Sequence, residues 1–169
     1  LTPERHVTLS DLVVLTPHHR AGGEERFERT LGGAAVLDAF HEDADRGGPI
    51  TLVRALFDGG PGAGLRLYRS TTTLTDVHVI AIDGVGLAVS DGVVQAKRLT
   101  ITGCRDGLDL GEPSSEIRGE DLRVDHCADP ITVHNSTTFE ANRLELSAQT
   151  GAELLIGRLP SAQGSLDPA

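Results

Sequence analysis

Carboxylates repeated at a regular interval are the residues of this chain best suited to chemistry. Asp58, Asp83, Asp106 and Asp129 each stand immediately before Gly or Pro, and Asp109 and His134 follow close behind the last two. Paired carboxylates can divide the work on a glycosidic bond, one protonating the leaving oxygen while the other activates water or attacks. They could also hold Ca²⁺, a hard cation that takes oxygen ligands, against an acidic sugar. Asp106, Asp109, Asp129 and His134 are therefore the catalytic candidates. The same dipeptides are also turn chemistry, because Asp accepts a local backbone N–H and Gly permits positive φ. Asp58 and Asp83 lack an outward companion like Asp109 or His134, so they read as turn residues only. No cofactor is required, Ca²⁺ being the one ion the acidic corner suits.

What must position these residues is a repeat. The chain runs Val77-His-Val-Ile-Ala-Ile82-Asp-Gly, then Leu99-Thr-Ile-Thr-Gly-Cys104-Arg-Asp-Gly-Leu-Asp-Leu110, then Leu122-Arg-Val-Asp-His-Cys127-Ala-Asp-Pro-Ile-Thr-Val133. Leu144-Glu-Leu-Ser-Ala-Gln149-Thr-Gly continues it, Leu52…Phe57-Asp-Gly precedes it, and Leu12-Val-Val fits loosely. The interval is roughly 22 to 25 residues, within the range of solenoid repeats. Inside each unit apolar and polar residues alternate, the pattern of short strands buried on one face. Leu99 and Ile101 point in; Leu108 and Leu110 begin a second strand after the corner, with equivalents at Leu65/Leu67, Leu87/Val89, Ile131/Val133 and Leu154/Ile156. A third short strand carries Val94, Ile117 and Phe139, with Val7 at the same offset before Leu12. The expected fold is all-β, a right-handed parallel β-helix solenoid of about six rungs, each rung of three short strands and rising about 4.8 Å. Leu, Val, Ile and Ala fill its thin layers, which accounts for the scarcity of aromatic residues and the absence of Trp and Met.

With these ladders the sequence resembles the pectate-lyase-like right-handed β-helix superfamily, most clearly over residues 50–157. That fold hosts lyases, hydrolases, epimerases, adhesins and scaffolds, so the resemblance specifies architecture more than activity. Arg105-Asp106-Gly-Leu-Asp109-Leu resembles the Asp-Gly-Ile-Asp-like strand of polygalacturonases, which implies acid or nucleophile roles for these carboxylates. Asp129 falls where the second Asp of that family's Asp-Asp pair would stand. The first is Ala128 here, Thr150-Gly-Ala-Glu153 replaces a Gly-His-Gly, and no Arg-x-Lys follows.

A single domain over 1–157 is expected, interrupted by a loop insertion at 18–33 and followed by a polar tail at 158–169. Just before each first-strand apolar residue stand Asp76, Arg98, Asp121 and Arg143, so stacked rungs alternate in sign. Such ladders fix register on a solvated face. Cys104 and Cys127 occupy equivalent interior positions, and no zinc spacing accompanies them; two free, buried thiols are expected.

Net charge is −10, with 25 acidic against 15 basic residues. A nucleic-acid or anionic-membrane partner wants a basic patch, so neither is expected. No apolar run approaches the ~20 residues of a membrane-spanning helix. The opening residues lack a charged-then-apolar signal segment, and reduced thiols agree with a slight preference for the cytoplasm. The incomplete catalytic set and the regular outward charges favour a binding or assembly module that presents flat charged faces to a protein partner or carbohydrate. Arg66, Tyr68 and Arg123 are its ligand-contact candidates. The alternative is a carbohydrate-active enzyme (polysaccharide lyase, epimerase or hydrolase) using the corner acids. The last rung exposes strand edges and apolar interior, which points to a partner at that end, either a second copy in a homo-oligomer or further polypeptide beyond these residues.

Overall fold

A computed structural model describes residues 7–15, 38–39, 49–60, 62–111, 114–134, 137–148 and 155–156. The insertion expected at 18–33 and the tail expected at 158–169 lie outside them. The described chain is a parallel β-solenoid without helix. One sheet orders β1 (Val7–Leu15), β3 (Ile50–Asp58), β5 (Thr71–Ile80), β7 (Val93–Thr102), β9 (Glu116–Cys127) and β11 (Thr138–Ala148). The other orders β2 (Asp38–Ala39), β4 (Ala63–Tyr68), β6 (Val85–Ser90), β8 (Asp106–Gly111), β10 (Asp129–Val133) and β12 (Leu155–Ile156). About four turns are stacked coils, against the six rungs that the sequence interval counts.

The expected columns form. Val77, Leu99, Leu122 and Leu144 are register partners on successive strands, as are Val94, Ile117 and Phe139. Leu65, Leu87, Leu108 and Ile131 make the facing column. All of these except Leu144 and Phe139, on the last long strand, are buried, and those two still pack against the core.

Two of the three expected short strands are one long strand here. Within each long strand the residue at one register position takes positive φ: Asp11 (54°), Arg54 (54°), Asp76 (55°), Arg98 (54°), Asp121 (58°) and Arg143 (65°). That left-handed residue bends the strand without breaking its ladder, since pairing resumes on both sides of it. Left-handed conformations are costly for residues with a Cβ and favour Gly, Asn or Asp. An arginine there hides the corner from a sequence reading.

The interior is thin because backbone approaches side chain directly. Gly64, Gly86 and Gly107 are the second residues of successive strands of the second sheet, each followed by an inward Leu. A Cβ on Gly64 would stand 2.5 Å from Val79 Cγ1, and one on Gly107 would stand 2.5 Å from Val124 Cγ1 and closer still to Pro130 O. Only glycine lets the two sheets come this near.

Candidate functional site

The left-handed residues carry the charge ladder. Arg54 Nε donates to Asp11 Oδ1 at 2.5 Å and its Nη2 to Oδ2 at 2.6 Å. Arg98 grips Asp76 in the same two-point fashion. Arg143 Nη1 lies 2.7 Å from Asp121 Oδ1, within ion-pair reach but off hydrogen-bond alignment. Every arginine reaches back one coil, so the six charges form three pairs. The alternation expected of Asp76, Arg98, Asp121 and Arg143 is present, and Asp11 and Arg54 extend it. At another corner Arg69 (φ 51°) and Asp91 (φ 51°) repeat the device, with Arg69 Nε 3.1 Å from Asp91 Oδ2.

Two shallow grooves flank this ridge. One, of about 300 Å³, is lined by Arg98, Thr100, Asp121, Leu122, Arg123, Arg143 and Glu145. The other, of about 400 Å³, has Leu74, Ala96 and Gly119 as its floor. Its walls are Thr73, Gln95 and Arg118 on one side and Thr75, Lys97 and Glu120 on the other. Lys97 Nζ meets Glu120 Oε2 at 2.9 Å across coils, and Arg118 Nε lies 2.6 Å from Glu116 and 3.4 Å from Glu140. The floor is low because its side chains shrink from Leu to Ala to Gly along the column.

Asp125 is the most enclosed of the described acids. It accepts from the Ser147 hydroxyl, from Arg123 Nη2 at 2.9 Å, and has His126 Nδ1 at 3.0 Å. Ser147 and then Arg123 hold its carboxyl below the usual carboxylate range. Arg98 does the same for Asp76, Arg54 for Asp11 and Lys97 for Glu120. A depressed folded pKa means that the unfolded chain binds protons at higher pH than the folded one. This stabilisation is complete above the ordinary carboxylate value of about 4 and is lost as pH falls through the folded values. Thermal melts should therefore be flat from neutral pH to about 5 and drop below about 4. Salt near ~1 M should shrink the drop, because most of these pairs are exposed. A melting temperature that rose on acidification would contradict this assignment.

The acidic corner is shorter than the sequence suggested. Asp129 pairs with Asp106 in register, but the partner of Asp106 on the other side is Val85. Asp58 closes β3 opposite Ile80, and Asp83 lies in a corner one residue longer than the next. Arg105 Nε and Nη2 both reach Asp106 Oδ2 at 3.1 Å. Farther along the same sheet Asp109 stands beside Thr132, and His134 Nε2 comes within 3.0 Å of Asp109 Oδ1. Asp109 lies three positions, about 10 Å, along the strand from Asp106. The candidates thus divide into a stacked acid pair and an Asp–His pair, the histidine standing just past the end of β10.

The ligand-contact candidates also divide. Arg66 and Tyr68 lie on β4, where Arg69 Cζ sits 5.1 Å from the Tyr68 ring centroid. Arg123 lies on the other sheet, in the smaller groove. Lys97, Arg118 and Glu120, which wall the larger groove, were missed by the sequence reading; their signal was the outward alternation on the strand before each bend. Among the described residues no group of three or more His, Cys, Asp or Glu side chains is placed to hold a metal ion, and no helix is long and apolar enough to cross a membrane.

Cys104 and Cys127 are free and buried on adjacent coils. The neighbouring Cys127 thiol and then burial push the Cys104 thiol far above its usual range, so it keeps its proton. Both thiols should resist a thiol reagent in the native protein and titrate fully in denaturant without reductant; finding fewer than two would mean an oxidised pair.

No protein-family model, curated protein or solved structure matches the chain.

Proposed function

We propose that this chain is a non-catalytic β-solenoid binding module that offers its long charged faces to an extended polar partner, a glycan chain or a protein segment. The observation that carries this reading is the larger groove, whose polar walls repeat coil by coil along the solenoid axis. A repeating wall suits a repeating or extended ligand. The outward charges support it too, because they pair sideways between coils rather than converge on one reacting point. A pectate-lyase-like ancestry is compatible with this role, since that fold serves adhesins and scaffolds as well as enzymes.

The second reading is a carbohydrate-active enzyme, a polysaccharide lyase, epimerase or hydrolase, using Asp106, Asp109, Asp129 and His134. The register stacking of Asp129 on Asp106 favours it, and Ca²⁺ could serve such acids against an uronate.

One experiment separates the two. Neutral and acidic oligosaccharides are titrated into wild type, Lys97→Ala, Arg123→Ala and the double variant Asp106→Asn/Asp129→Asn, with product formation followed in parallel. A binding module should lose affinity on the Lys97 and Arg123 changes, keep it in the double variant, and release no product. Turnover that collapses in the double variant, with the melting temperature unchanged or raised by relief of acid–acid repulsion, would establish the enzyme reading instead.

A further inference from the structure

Among the described coils, the first and the last are complementary to each other. Among the described residues β1 and β11 each pair along one edge only, leaving a row of backbone donors and acceptors at either end. Such edges are templates for another strand. Their inward side chains are incompletely covered: Leu9, Leu12 and Val14 at one end, Phe139, Leu144 and Leu146 at the other, while Val7 is 46% exposed. The charge ladder starts on Asp11 and finishes on Arg143, so this one position is acidic on the first strand and basic on the last.

We propose that this chain binds a second copy of itself head to tail, with β1 of one molecule continuing the sheet beyond β11 of another. In the register already used between coils, Asp11 meets Arg143. Val7, Leu9, Leu12 and Val14 then fall over Phe139, Ala141, Leu144 and Leu146, apolar on apolar at every inward position. The alternation passes through the junction unbroken. A two-fold contact between identical ends would instead run the two strands antiparallel and give up both this register and the Asp11–Arg143 pair. The burial and the backbone bonds supply the attraction, and the charges choose the direction, since exposed ion pairs stabilise little by themselves. Such a heterologous contact does not close, so the product is a linear chain of copies.

Sedimentation velocity and light scattering over a concentration series, in about 0.15 M salt, test this. The wild-type protein should grow through dimer to longer species as concentration rises. Asp11→Arg alone and Arg143→Asp alone should each associate measurably more weakly than wild type, because each places like charges at the junction. Mixing the two variants should restore association, each end again meeting its opposite. Both variants also break a pair within the chain, with Arg54 or with Asp121, but mixing repairs no such damage, so the rescue isolates the junction. A wild-type protein that stays single at every concentration, or stops at two copies, would overturn the proposal. So would variants that associate like wild type, or a mixture that associates no better than either variant alone.

Discussion

Leu122→Asp should leave no cooperative unfolding transition. Leu122 is 2% exposed and stands between Leu99 and Leu144 in the central column. Its Cδ atoms fill the space above Gly119, where even a methyl group would collide with them. Losing a buried leucine side chain costs about 2–5 kcal/mol. An unpaired carboxylate in that place adds several more, or takes up a proton to avoid them. Against a total stability of about 5–15 kcal/mol, this is enough to unfold the chain. Coils contact only their neighbours, so failure of one also uncouples the ends. Gln95→Asp, on the exposed side of a neighbouring strand, should melt like wild type. Far-UV circular dichroism melts of both variants check the pair; a Leu122→Asp protein with a normal melt would mean that this column is not interior.

The columns were legible because two independent periods agree in them, alternation along a strand and recurrence at the coil interval. Val77, Leu99, Leu122 and Leu144 satisfy both. Corners obey neither, since their side chains need not pack, and Asp83 shows the result. It shares a dipeptide with Asp106 yet stands out of register because its corner holds one more residue. The bends at Arg54, Arg98 and Arg143 were hidden for another reason. Sequence logic places glycine or asparagine at positive φ, so an arginine reads as mid-strand or surface. The ladder itself was visible, because opposite charges at a fixed interval need no knowledge of backbone angles. The candidate site was legible residue by residue but not as a constellation: Asp106 beside Asp129 followed from the repeat, whereas the larger groove depends on how far Ala96 and Gly119 sink below their neighbours.

Gly107→Ala should cost stability out of proportion to one methyl group. Gly107 looked like half of an Asp-Gly turn, but the structure places it where the two sheets almost touch. The added Cβ would press on Val124 Cγ1 and on the carbonyl of Pro130, and a carbonyl inside a paired strand has little room to yield. Overpacking of this kind costs about 1–3 kcal/mol, and the backbone partner puts it at the upper end. For a chain of this size that lowers the melting temperature by about 10 °C. Gly103→Ala is the contrast: its φ of +67° makes alanine uncomfortable, but its nearest neighbours stand 3.8 Å away and nothing is struck. A calorimetric melt in which Gly107→Ala lost no more than Gly103→Ala would show that the sheets can part to admit a side chain.

The alternating ladder also bears on how such a gene can change length. Arg98 and Asp76 lie 22 residues apart, one coil. Deleting a single coil, such as residues 77–98, would set Asp76 directly beneath Asp121, acid against acid at a bend already strained by positive φ. Deleting or duplicating two coils together returns arginine to acid and leaves the ladder starting on an acid and finishing on an arginine. Changes of this chain by two coils should therefore be better tolerated than changes by one.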